Sequence, residues 1–71
     1  MKMTELSKQN LLIAESVQLE PVDGGGFMLR VKRGDSIGYI SGRDGIVNYK
    51  TPELARRAVK RLRPDLPLTS I

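Results

Sequence analysis

The chain has no cysteine, no histidine and no tryptophan, and its only aromatic residues are Phe27, Tyr39 and Tyr49. Disulfides, thiol nucleophiles, Cys/His metal sites and imidazole acid–base chemistry are therefore excluded. A serine or lysine nucleophile would lack its usual base, and the carboxylates are scattered singly, with no pair spaced for acid–base work or a metal. The expectation is a non-enzyme with no cofactor, no metal and no small-molecule substrate. Long apolar runs are missing too. The longest is Leu11 to Ala14, far short of a membrane span. The opening residues MKMTELSKQN contain no apolar stretch of the signal-peptide kind. A secreted domain this small would ordinarily carry disulfides, so a cytoplasmic location is expected.

What is present is a short chain with a lopsided charge. Its 71 residues suit one small domain, and twelve Lys and Arg against eight Asp and Glu leave a net charge of +4. Up to Leu29 there are Lys2 and Lys8 against Glu5, Glu15, Glu20 and Asp23, a net of −2. From Arg30 onward ten bases face Asp35, Asp44, Glu53 and Asp65, a net of +6. Such asymmetry fits a surface that meets a polyanion, most often nucleic acid.

The most legible stretch is Thr51 to Arg63. Thr51 is a good N-cap, Pro52 suits the first helical position, and Glu53 complements the positive first turn. Helical periodicity puts Leu54, Ala55, Ala58, Val59 and Leu62 on one half, and Arg56, Arg57, Lys60, Arg61 and Arg63 on the other. Pro64 ends the run. The apolar half needs a sheet to cover.

Residues 1–10 read as a flexible, polar arm with at most one helical turn, leaving 11–71 as the folded domain. Leu11, Ile13, Val17 and Leu19 read as a strand up to Pro21, before the loop Asp23-Gly24-Gly25-Gly26. Phe27 to Lys32 alternates as a second strand. Gly34-Asp35 signals a two-residue hairpin of type II′, Ser36 to Gly42 a third strand, and Asp44-Gly45 a type I′ turn into a short fourth strand, Ile46 to Lys50. The tail from Pro64 reads as extended, with Leu66, Leu68 and Ile71 tucked on the core. The fold class expected is α+β, an antiparallel meander of three to four strands with one C-terminal amphipathic helix packed on one face.

These turns fix the register. Gly34-Asp35 pairs Val31 with Gly38, Leu29 with Ile40 and Arg30 with Tyr39, while Asp44-Gly45 pairs Ile40 with Tyr49 and Gly42 with Val47. Both imply one partition. Phe27, Leu29, Val31, Ile40, Val47 and Tyr49 share the core face. Arg30, Lys32, Tyr39, Ser41, Arg43, Asn48 and Lys50 share the outer face with Met28, Ile37 and Ile46, and Gln18 joins them.

That outer face is the candidate site. Arg30, Lys32, Arg43 and Lys50 offer contacts to phosphate or guanine, Tyr39 a stacking ring, and Asn48 an amide of the type that reads base edges. The outer face of a one-layer sheet must be polar in any case, so basicity alone does not decide the matter. The helix's basic half is expected on the opposite side of the domain. Gly24 to Gly26 lacks the Gly-Lys-Ser/Thr ending of a phosphate loop, and Arg33-Gly34-Asp35 is explained by its hairpin.

In element order, roughly residues 11–63 resemble the sheet-reading DNA-binding domains of plant ethylene-response factors and the arm-binding domains of phage integrases. No sequence motif of either family is present, and no functional residue is carried over. The expected function is that of a small basic nucleic-acid-binding accessory protein, DNA expected ahead of RNA, bacterial or phage in kind and acting through the outer face of its sheet. The alternative is a protein-interaction module whose Met28, Ile37 and Ile46 are covered by a partner or by a second copy.

Overall fold

A computed structural model describes residues 3–70 of the chain. Helix α1 spans Glu5–Leu12, followed by strands β1 (Ser16–Pro21), β2 (Phe27–Arg33), β3 (Ser36–Tyr39), β4 (Ser41–Gly42) and β5 (Gly45–Ile46). Helix α2 (Pro52–Leu62) and strand β6 (Leu68–Ser70) complete the fold. The main sheet has the order β3-β2-β1-β6, antiparallel except for β6, which runs parallel to β1. The β4–β5 pair forms a separate small sheet. The class is α+β with a mostly antiparallel sheet, but it is not a simple meander.

Helix α2 forms where its signals put it. The Thr51 hydroxyl accepts from the Leu54 amide at 3.3 Å, Pro52 opens the first turn, and the Arg63 amide closes the helix on the Val59 carbonyl. Ala55 and Val59 are buried and Leu62 half-buried, whereas Leu54 is largely exposed, because the sheet reaches only part of the apolar stripe.

Residues 5–12 depart from the expected arm. Thr4 caps α1 by accepting from the Ser7 amide at 3.2 Å, and Ser7, Leu11 and Ala14 are buried at helical spacing. The stripe escapes a periodicity search because a serine holds its first position. Ser7 is satisfied there: its Oγ accepts from the Ser41 amide at 2.8 Å. Leu11 and Ile13 therefore do not begin the first strand, which starts at Ser16. Met1 and Lys2 of the expected arm, and Ile71 of the tail, lie outside the described residues.

The first hairpin is as predicted, with Arg30 opposite Tyr39, Val31 opposite Gly38, and the Ile40 amide bonded to the Leu29 carbonyl at 3.0 Å. The second is not. Gly42 faces Gly45 and Ser41 faces Ile46, so the turn residues are Arg43 and Asp44. A type I′ turn needs φ above zero at both central residues, and Asp44 does not adopt it. Gly45, at φ +115°, instead takes the strained position after the turn. The Val47 amide then bonds the Ile40 carbonyl at 3.0 Å, and Tyr49 exchanges two 2.7 Å bonds with Phe27. The expected fourth strand is thus reduced to a bridge, with residues 41–46 looped out of the sheet edge. Ile40 meets Val47 rather than Tyr49, a displacement of two residues. Because side chains alternate with period two, that displacement leaves every face unchanged.

Leu29, Val31, Ile40 and Val47 are accordingly buried, with Phe27 and Tyr49 packed beside them. Val17 and Leu19 from β1, Leu11 and Ala14, Ala55 and Val59, and Leu66 complete one cluster, to which both helices contribute. Replacing Leu11 by Ala should cost about 2–5 kcal/mol in urea denaturation, whereas Leu6→Ala, at a residue 68% exposed, should stay within about 0.5 kcal/mol. Equally small effects would return this segment to the status of an arm.

Arg63 does not join the basic half of α2. Its Nη1 donates to the carbonyl oxygens of Leu11 (3.2 Å), Leu12 (2.6 Å) and Ala14 (3.2 Å), and its Nε and Nη2 hold Asp65 at 3.2 Å each. The guanidinium thereby caps the C-terminal end of α1. Arg63→Lys keeps the charge but cannot hold both partners, and should lose about 1.5–3 kcal/mol in the same assay. The Arg63 hydrogen bond also keeps the Asp65 carboxyl below its ordinary value of 3.8. A lowered folded pKa contributes stability that is present above the unfolded value and disappears as pH falls through the folded one. Asp65→Asn should therefore flatten the stability profile only on the acid side of about pH 4.

Candidate nucleic-acid interface

Both helices pack on one face of the sheet, and among the described residues nothing covers the other. Three rows of side chains occupy it. Lys32 lies between Ser16 and Ile37, Arg30 between Gln18 and Tyr39, and Met28 beside Glu20. The Phe27–Tyr49 bridge extends this surface: alternation places Asn48 and Lys50 on the face opposite Tyr49, alongside Met28. Of the six residues predicted as a site, Arg30, Lys32, Tyr39, Asn48 and Lys50 thus belong to one side of the sheet. Arg43 does not join them, since it sits in the turn of the looped-out hairpin, whose Ser41 is bonded to Thr4 and Ser7 of the α1 end.

The central row is organised by polar contacts. Arg30 Nη1 donates to Gln18 Oε1 at 3.4 Å, which fixes the guanidinium against β1. Tyr39 lies next to Glu20. Its phenol is held above the ordinary value of 10.0 first by hydrogen bonding to the Glu20 carboxylate, then by desolvation and the Glu20 charge, with Arg30 opposing. Glu20 Oε2 is shielded from solvent and has no hydrogen-bond partner among the described residues. Periodicity from Gln18 to Glu20 would have found this carboxylate, which lies inside the otherwise basic face.

Asn48 has a structural duty as well. Its Nδ2 donates to the Gly25 carbonyl at 3.2 Å, and a Cβ on Gly26, where φ is +90°, would overlap the Asn48 carboxamide. The glycine loop is therefore shaped around this side chain rather than around a phosphate.

The apolar members of the outer face do not merge. Ile37 and Met28 are separated by the Arg30–Tyr39 row, roughly 13 Å along the strand direction at about 3.3 Å per residue. Ile46, half exposed, belongs to the detached hairpin.

The expected separation of sheet face and basic helix does not hold at the sheet edge. Asn48 and Lys50 border an open cleft whose other wall is α2, with Arg57 and Arg61 on its rim. Nothing in the helix's own periodicity reveals this, because it depends on the path of residues 47–50.

No protein-family model, curated protein or solved structure matches the chain. Among the described residues no helix is long and apolar enough to cross a membrane.

The Tyr39 environment can be read directly in alkaline titration. In a Tyr49→Phe background, absorbance near 295 nm should report Tyr39 ionising above pH 10.0. Adding Glu20→Gln should bring the midpoint back toward that value. Because the folded pKa is raised, the associated stability is complete below the unfolded value and falls as pH rises through the folded one. An unchanged midpoint would remove Glu20 as the cause.

Proposed function

We propose that this chain is a small, non-enzymatic nucleic-acid-binding accessory protein that docks through the outer face of its sheet. The observation carrying the proposal is the layout of that face. Arg30, Lys32 and Lys50 are distributed along it, and Met28 and Ile37 are interrupted by charged and polar residues rather than joined in an apolar patch. A protein-docking surface concentrates its exposed apolar area, whereas a backbone-tracking surface spaces its cations. The Arg30–Gln18 pair and the Tyr39 ring supply groups suited to base edges and base faces.

A second reading is favoured by one feature. Strand β3 is one edge of the main sheet, and Ile13 and Ile37, each about half exposed, flank a recess of about 180 Å³ beside it. An extended peptide could add there as a further strand.

Salt dependence separates the two. Each duplex phosphate neutralised contributes about −0.9 to the log–log slope, so contacts from Arg30, Lys32 and Lys50 give about −2.7 and roughly a 40-fold loss between about 50 and 200 mM salt. Arg30→Ala with Lys32→Ala should reduce the slope by about 1.8. Titration of fluorescent duplex and single-stranded oligonucleotides measures this. Absence of binding at low salt would leave the β3 edge as the better site.

A further inference from the structure

The cleft between residues 47–50 and α2 differs from the rest of the basic surface because it combines cations with an apolar lining and has no carboxylate, whereas the groove of Arg56, Arg57 and Lys60 includes Glu53. Its volume is about 590 Å³, within the range of small-molecule sites. Tyr49 and Leu54 supply part of its apolar lining, and Lys50, Arg57 and Arg61 its cations, with Asn48 adding a neutral amide. Among the described residues the ion pairs are Lys8–Glu5 and Arg63–Asp65, so these three cations have no acidic partner. Leu54 is 43% exposed, an apolar side chain that the fold leaves open to the cleft.

Such a site suits a ligand with a flat apolar part and an anionic part side by side. We infer that the cleft takes one nucleotide unit of a single strand, its base against Tyr49 and Leu54 and its phosphate among Lys50, Arg57 and Arg61. This inference rests on the nucleic-acid reading above and extends it. Lys50 borders the cleft while alternation places it with the outer face, so a strand tracking Arg30 and Lys32 would reach the cleft at the 47–50 edge. Stacking on an aromatic side chain with the backbone in a positive groove is how single strands are held without sequence preference. An acidic peptide would satisfy the cations but would leave the apolar lining open.

Helix α2 provides its own control. Arg57 and Arg61 line this cleft, whereas Arg56 and Lys60 lie with Glu53 and Arg57 on a different groove of the helix. The two double substitutions, Arg57→Ala/Arg61→Ala and Arg56→Ala/Lys60→Ala, remove equal charge from exposed positions. Binding is measured with fluorescein-labelled oligothymidylate about twelve nucleotides long, between about 50 and 200 mM salt. The cleft variant should bind roughly tenfold more weakly and lower the slope by about 1.4, at about 0.7 per single-strand contact, with the control changing less than half as much. In a Tyr39→Phe background Tyr49 is the sole tyrosine and there is no tryptophan, so its emission should be quenched on binding.

Equal losses from both pairs, or unquenched Tyr49, would overturn the inference while leaving the outer-face reading to stand on Arg30→Ala/Lys32→Ala. A cleft variant that weakens binding when the outer-face variant does not would support the cleft and overturn the outer-face reading instead. Binding of oligoglutamate, but not oligothymidylate, in an Arg57- and Arg61-dependent way would reassign the cleft to an acidic peptide and overturn the inference.

Discussion

The fold depends on where the Arg63 guanidinium goes. One side chain closes the carbonyl end of α1 through Leu11, Leu12 and Ala14 while its other edge holds Asp65. A helix C-terminus leaves several carbonyls without intrahelical partners, and burial makes each of them costly. Here a cation supplied from beyond α2 satisfies them and also complements the negative end of the helix dipole. The contact sets the ends of the two helices together and fixes where the chain turns after Pro64. From that turn Leu66 reaches the core and the Val17 amide bonds the Pro67 carbonyl at 3.2 Å, which starts the pairing of β6 with β1. In a domain without disulfides, the segment after α2 thereby covers the β1 edge of the sheet.

The face partition was legible in the sequence for a reason that survives error in the turn. Of the six residues expected on the core face, Leu29, Val31, Ile40 and Val47 belong to the buried cluster, and Phe27 and Tyr49 pack against it. The Asp44-Gly45 turn was nevertheless displaced: among the described residues only glycines adopt positive φ, and Asp44 does not. A one-residue slip would have inverted the faces, but burial of Ile40 and Val47 permits only displacements by two. Hydrophobic alternation is thus a stronger constraint than turn chemistry in this chain.

What was not legible depends on distant partners. Residues 5–12 look like an arm because α1 has a narrow apolar stripe, and its serine and its C-terminal carbonyls are satisfied by Ser41 and Arg63. The β6 strand has a three-residue span whose pairing is to β1, about fifty residues earlier. The site suffered similarly: Arg43 belonged to the hairpin that left the sheet, while Arg57 and Arg61 became neighbours of Lys50 through the path of residues 47–50. Local sequence determines which side of an element a residue takes, and long-range contacts determine what stands opposite.

The outer face is only moderately charged. Arg30, Lys32 and Lys50 are set against Glu20, a balance of +2. At physiological ionic strength charges more than about 8 Å apart are largely screened, so on the proposed docking these side chains would act by contact rather than through a long-range field. A contact surface must follow the shape of the polyanion, and a flat one-layer sheet can meet a nucleic-acid backbone only over the rows it presents. Glu20, in the Met28 row beside the central Arg30 row, lowers the positive potential there, and its shielded Oε2 is not offered to solvent. In the proposed docking the backbone would follow Lys32 and Arg30 and be led by Lys50 over the sheet edge toward Arg57 and Arg61. On the proposed docking, Arg30, Lys32 and Lys50 would carry affinity, and Gln18, Tyr39 and Asn48 between and beside them would carry any discrimination.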